Sequence, residues 1–140
     1  MENMEAREKS ALGLDANVTA LLGYIVWVIA LVSIIMEKNN RFVRFHAIQS
    51  LAYQVSMAIL FGALGILQAI MTVLFGVAAA AAGSSGGAGI GIIFSLLSVL
   101  IWLVVPLLAV IGVILAAVKA YQGQMFKLPI IGNLAEKWSA

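Results

Sequence analysis

Between Phe45 and Val118 the chain has no Asp, Glu, Lys or Arg, and this feature constrains its fold more than any other. The ionisable side chains inside that stretch are His46 and Tyr53. Uncharged apolar stretches of roughly 18 residues or more read as bilayer spans, because they need a solvent as apolar as themselves. Composition points the same way. Hydrophobic residues make up 64% of the 140 and charged residues 10%, against about 45–50% and about 25% in ordinary soluble domains. The expected fold class is therefore an all-α integral membrane protein.

Three hydrophobic segments follow from the breaks between them. Val18 to Met36 would rise roughly 28 Å as a helix, close to a hydrocarbon core of about 30 Å, with Asp15 or Asn17 as N-cap. Charged residues 37 to 44 stop it. The second segment, from Phe45 to about Ala82, is too long for one upright span; a tilted helix to about Val73 is expected, bent near Gly62 and Gly65. Gly83 to Gly89 reads by composition as a flexible linker. The third segment runs from Ile90 to Val118, with Pro106 expected to kink it and Lys119 closing it. The expected organisation is a tail at 1–17, a membrane domain at 18–121 with spans near 18–36, 45–73 and 92–118, and an interfacial tail at 122–140. Four spans are the alternative, if the second segment is a hairpin.

Basic residues orient such a protein. Three spans place Lys38, Arg41, Arg44, Lys119, Lys127 and Lys137 on one side and Arg7 and Lys9 on the other. That bias predicts an N-terminus outside and a C-terminus in the cytoplasm. Four spans would blur it. A cleavable signal peptide is not expected, since Glu2, Glu5, Glu8 and Asp15 precede the first segment. The basic residues flank hydrophobic runs, so lipid rather than nucleic acid is the expected partner.

Few residues could carry chemistry. His46, Gln49, Ser50, Tyr53 and Gln54 recur at spacings of three and four, forming a stripe on one helical face. Polar groups in hydrocarbon need partners, so the stripe should face the bundle interior or a wet cavity. Interhelical hydrogen bonding is the plainer use of it, and a polar vestibule the sharper one. His46 has no nearby co-ligands for a metal and no carboxylate to orient it beside a serine. There is no cysteine, so disulfides and thiolate sites are excluded. No catalytic residue, metal or cofactor is expected. Gly62 and Gly65, and Ala109, Gly112 and Ala116, form small faces suited to packing within the chain or to self-association.

The C-terminal pattern carries one further expectation. Gly123 should end the third helix in a left-handed turn, and Pro129 should prevent one continuous helix. A short interfacial helix from Ile130 could then dock near the first loop, with Glu136 in reach of Arg41 or Arg44. Burial of Tyr121, Met125, Phe126, Leu128, Ile130, Ile131, Leu134 and Trp138 would have to dominate, since an exposed ion pair contributes at most about 1 kcal/mol.

Two stretches, Arg41-Phe42-Val43-Arg44-Phe45-His46-Ala47-Ile48-Gln49-Ser50 and Lys119-Ala120-Tyr121-Gln122-Gly123 with Lys127-Leu128-Pro129-Ile130-Ile131-Gly132-Asn133-Leu134, carry a resemblance. Over roughly Leu22 to Lys137 the chain resembles the family of the twenty-kilodalton subunit of the chloroplast inner-envelope protein import translocon, with its bacterial and archaeal relatives. The resemblance implies a helical membrane subunit working in protein translocation. The chain lacks the extra N-terminal hydrophobic segment and transit peptide of the plastid members, which favours a prokaryotic plasma membrane. The leading expectation is a non-enzymatic channel or translocation subunit associating with other membrane subunits or copies of itself. The alternative is a lipid-binding or membrane-organising protein using its basic face.

Overall fold

The structure, a computed structural model, describes residues 4–139, apart from the side chains of Ser84 and Ser85. Residues 1–3 and Ala140, the extreme ends of the two expected tails, lie outside the described residues. Regular structure among the described residues is helical: a 3-10 turn at Met4–Arg7, then α1 (Ala16–Ile25), α2 (Trp27–Met36), α3 (Arg41–Ala81), α4 (Gly83–Tyr121) and α5 (Ile131–Trp138). Two of these, α3 and α4, are long and apolar enough to cross a membrane. The chain divides into two compact units, Met1–Ser56 with Val110–Ala140, and Met57–Ala109.

In the first unit the expected span at 18–36 is not one rod. Val26 is extended (φ −122°, ψ 101°), and it separates two helices of ten residues each. Each rises only about 15 Å, half of a hydrocarbon core. No proline marks the break. Val26 is β-branched and tolerates extended backbone well, its N–H still closes α1 on Leu22 O at 2.8 Å, and its carbonyl accepts Ile29 N at 3.0 Å. Gly23 makes room for the return: a Cβ there would lie 3.6 Å from Ala30 Cβ and 3.5 Å from Ser50 Oγ. Alternation of small residues thus lets α2 pack back on α1 and both on α3.

The opening turns of α3 are buried over most of their surface. Phe42, Val43, Phe45, His46, Gln49 and Ser50 have essentially no exposure. A helix buried over most of its surface needs partners on several faces, and here these are α1, the N-terminal segment and the C-terminal segment. Phe45 and Ile48 pack on Ala135 of α5, with Ile34 and Met125 against the same cluster. The C-terminal part of α4 belongs to this unit too, with Ala116 and Ala120 buried and Gly112 facing the Tyr53 ring, whose hydroxyl would sit 3.0 Å from any added Cβ.

The second unit is an antiparallel helical hairpin. Phe61 stacks on Trp102 and Phe75 on Phe94 with centroids 6.3 and 4.8 Å apart, and Gln68 Nε2 donates to Ser98 Oγ at 2.9 Å. Its connection departs from the sequence reading. Residues 83 to 89 are not a flexible linker, because α4 begins at Gly83, whose positive φ of 76° turns the chain immediately after Ala82. Gly87 then lies so close to the Ala79 carbonyl that no side chain fits. Helix α3 continues past Val73 to Ala81, uninterrupted at Gly62 and Gly65, and Pro106 lies within α4 without ending it. The arm from Met57 to Ala81 rises about 37 Å, enough to span a bilayer core with modest tilt. Large side chains on both arms of the hairpin, such as Ile59, Ile66, Val73 and Leu97, are exposed.

Candidate functional site

The polar stripe on α3 is the core of the first unit. His46, Gln49 and Ser50 are fully buried, Tyr53 nearly so, and Gln54 partly. Gln49 is the hub. Its Nε2 donates to Tyr24 Oη at 2.7 Å and to Phe126 O at 2.9 Å, while its Oε1 accepts Leu128 N at 3.2 Å. His46 lies 3.1 Å from Gln124 O through Nε2 and 3.1 Å from Tyr24 Oη through Nδ1. A carbonyl only accepts, so Nε2 carries the proton and Nδ1 accepts the Tyr24 hydroxyl. The tyrosine therefore accepts from Gln49 and donates to His46, so the Tyr24 hydroxyl and both imidazole nitrogens are partnered. Phe42 and Phe45 meet the imidazole edge-on at 4.6 and 5.0 Å. Gln54 Nε2 donates to Gly23 O at 3.3 Å, and Ser50 Oγ bonds back to Ala47 O.

His46 thus lies inside the protein, its ring enclosed by α1, α3 and the C-terminal segment. The reason is tertiary: residues 124 to 128 run across α3 and present their backbone groups to His46 and Gln49. Tyr24 is the member that sequence reasoning missed. In an apolar helix it reads as an interfacial or packing aromatic, and only its i, i+3 relation to Trp27 is visible there.

The N-terminal segment caps the start of α3. Asn40 Oδ1 accepts Val43 N at 3.0 Å and Glu5 Oε2 accepts Phe42 N at 2.9 Å, so two of the orphan N–H groups that start α3 are satisfied, one by a carboxylate that also complements the helix dipole. Asn40 Nδ2 returns a bond to Glu5 O at 2.8 Å. Buried Glu37 accepts Ala11 N at 2.7 Å and Asn40 N at 3.3 Å. Asn17, expected as an N-cap, instead donates to Tyr121 O at the end of α4. Asp15 precedes α1 without a side-chain cap bond and pairs with Lys9 at 2.6 Å. These contacts tie the N-terminal segment to the first loop and to the end of α4. The sequence reading put the N-terminal tail and that loop at opposite ends of a straight first span; with α2 folded back on α1, they are neighbours.

The C-terminal segment completes the unit. Gly123 ends α4 with φ 71°, and Gly123 N bonds Ala120 O at 2.9 Å. After Pro129 the chain makes a three-residue turn, Ile131 N to Pro129 O at 2.7 Å, that forces Ile130 to φ 66°. This is a strained conformation for a β-branched residue. Ile130 is 88% exposed, so packing does not impose the strain; the turn does. Gly132 allows the turn to close, since a Cβ there would meet Lys127 Cα at 2.7 Å. Glu136, expected near Arg41 or Arg44, pairs with Lys127 at 2.8 Å. The Lys127 ammonium holds the Glu136 carboxyl below its ordinary 4.5, with Arg41 adding a smaller pull.

Of the remaining basic residues, Lys38, Arg41 and Lys137 are exposed and Lys119 and Arg44 are partly buried. Tyr121 is exposed and contributes its carbonyl rather than its ring to the Asn17 bond. All eight Lys and Arg residues fall in the first unit, and Met57–Ala109 holds no charge. Among the described residues no three His, Asp or Glu side chains gather as a metal site would require.

Comparison with known proteins corrects the resemblance to the chloroplast translocon family. The sequence model of the magnetosome magnetite crystal formation protein family (MamF/MmsF) matches residues 9–135, and translocon proteins are not what the chain is similar to. A UPF0132 membrane protein of Methanocaldococcus jannaschii is 33% identical over 132 residues, covering 94% of each chain. A second UPF0132 membrane protein of that organism is 31% identical, over 91% of this chain and 73% of its own. One from Archaeoglobus fulgidus is 28% identical, over 86% and 92%. No solved structure matches. The short motifs misled because an aromatic-His-Ala-x-Gln string after a charged loop encodes a helix start packed under a crossing segment, a structural solution that does not specify translocation. With that correction the expected translocation role loses its basis. The chain belongs to the magnetosome magnetite crystal formation protein family, whose relatives named here are membrane proteins.

Proposed function

We propose that this protein is a non-enzymatic membrane-organising protein, anchored by the 57–109 hairpin and presenting its basic residues as one cytoplasmic face to anionic head groups. The observation that carries the reading is the clustering of charge. Hydrogen bonds join the N-terminal segment, the first loop and the end of α4, and the C-terminal segment packs on the start of α3. These are the segments that hold all eight cations, while the hairpin holds none. Basic flanks stay on the cytoplasmic side, and each cation near an anionic surface contributes about 1 kcal/mol of attraction. In this arrangement α1 and α2 form a re-entrant pair that enters and leaves on the same side, so both termini are cytoplasmic and the first hydrophobic segment does not span.

A channel is less well supported. The polar stripe that could line an aqueous path is consumed by bonds to Tyr24, Gln124, Phe126 and Leu128. The family description, magnetite crystal formation, fits a protein that charges and shapes a membrane surface. Single cysteines at Glu8, Asn39, Gly89 and Asn133, probed with an impermeant reagent in intact cells, test the topology. Labelling at Gly89 alone is expected. Labelling at Glu8 with Asn39 protected would restore three spans and split the basic face.

A further inference from the structure

One surface of the first unit is built differently from the rest. A groove of about 580 Å³ runs along α3, walled by Ile34 of α2 and Trp138 of α5. Its floor is the α3 stripe Arg44, Ile48, Leu51, Ala52, Val55 and Ser56, whose spacings of three and four put them on one face. No carboxylate lines it. Arg44 Nε, at its head, is shielded from solvent yet has no hydrogen-bond partner. A buried guanidinium nitrogen without an acceptor is costly, and the acceptor that matches a guanidinium fork is a carboxylate or phosphate.

The groove's length identifies the rest of the ligand. From Arg44 to Ser56 the helix rises about 18 Å, close to the about 15 Å that one acyl chain covers in a leaflet. The cationic end adjoins the charged loop and the far end approaches the uncharged part of α3. Trp138, with an apolar body and a polar N–H, is suited to head-group depth. Following from the membrane-organising reading, we propose that this groove is a specific site for one anionic phospholipid, its phosphate on Arg44 and one acyl chain lying along Ile48, Ala52 and Val55.

The test measures binding of dioleoyl phosphatidylglycerol and dioleoyl phosphatidylcholine to purified full-length protein in a maltoside detergent by native mass spectrometry. Wild type should retain one phosphatidylglycerol more tightly than any further copy. Arg44→Gln should weaken that first lipid about tenfold or more, since it removes a charge-assisted contact. Ala52→Trp, which fills the tail path, should weaken it comparably, and Lys137→Gln should change it less than twofold. Melting temperature without added lipid checks that each variant is folded; if Arg44→Gln is not, Arg44→Lys and Ala52→Trp carry the test. Full binding by a folded Ala52→Trp overturns the acyl groove. Equal small losses in Arg44→Gln and Lys137→Gln overturn the site while leaving the basic-face reading intact. No preference for phosphatidylglycerol in wild type overturns both.

Discussion

The two units use opposite means of holding helices together. In the first unit, backbone carbonyls and amides of residues 124 to 128 bond His46 and Gln49, and small residues bring α2 onto α1. In the hairpin 57–109, the interhelical contacts described above are two aromatic stacks, the close approach of Gly87 to Ala79 and one side-chain hydrogen bond, Gln68 to Ser98. Directed bonds fix one geometry, because each misplacement leaves a buried polar group unpaired; apolar contacts in lipid carry little of that penalty and specify geometry weakly. The first unit is accordingly the part whose arrangement is specific.

The strongest challenge to that contrast is Gln49→Leu. It removes three hydrogen bonds and leaves Leu128 N buried without its Gln49 acceptor, at a cost of about 3 kcal/mol. The matching change in the hairpin, Gln68→Leu, removes one bond worth about 0.6 kcal/mol in a membrane setting. Thermal unfolding in detergent should rank them so, and equal shifts would erase the distinction between the units.

Glycine substitutions sharpen it. Gly132→Ala places a Cβ against Lys127 backbone and should cost about 1–3 kcal/mol and loosen α5. Gly62→Ala meets open space in the middle of α3 and should be neutral or stabilise by up to about 1 kcal/mol. Hydrogen exchange over residues 124–138 reports the first and melting temperature the second. A destabilising Gly62→Ala would show that this helix face is covered, as by another copy of the chain.

The smallest effect concerns Glu136. Its carboxyl is held below 4.5 in the folded protein by Lys127, so the pairing supports the fold above that ordinary value and is lost as pH falls through the lowered one. Acidification from pH 5 toward pH 3 should therefore increase α5 mobility slightly, seen by a spin label at Leu134, and Lys127→Gln should abolish this pH dependence. An unchanged pH response in that variant would assign it to another carboxylate.

Much of this was legible in local pattern. The uncharged run from Phe45 to Val118 determined a helical membrane protein, the three-and-four spacing of His46, Gln49 and Tyr53 placed them on one face, and Gly123 and Pro129 marked the end of α4 and the start of a separate C-terminal segment. These are properties of neighbours in sequence, governed by dihedral preference and helical period. Only the tertiary structure decided that Val26 breaks the first segment, that Glu5 caps α3, that Tyr24 joins His46 to Gln49, and that residues 124 to 128 cover the stripe. The last three depend on groups 20 or more residues apart meeting after chain reversal, and at Val26 no proline announces the turn. The energy that selects them is the cost of an unpaired buried polar group, which has no value until the partner segment arrives.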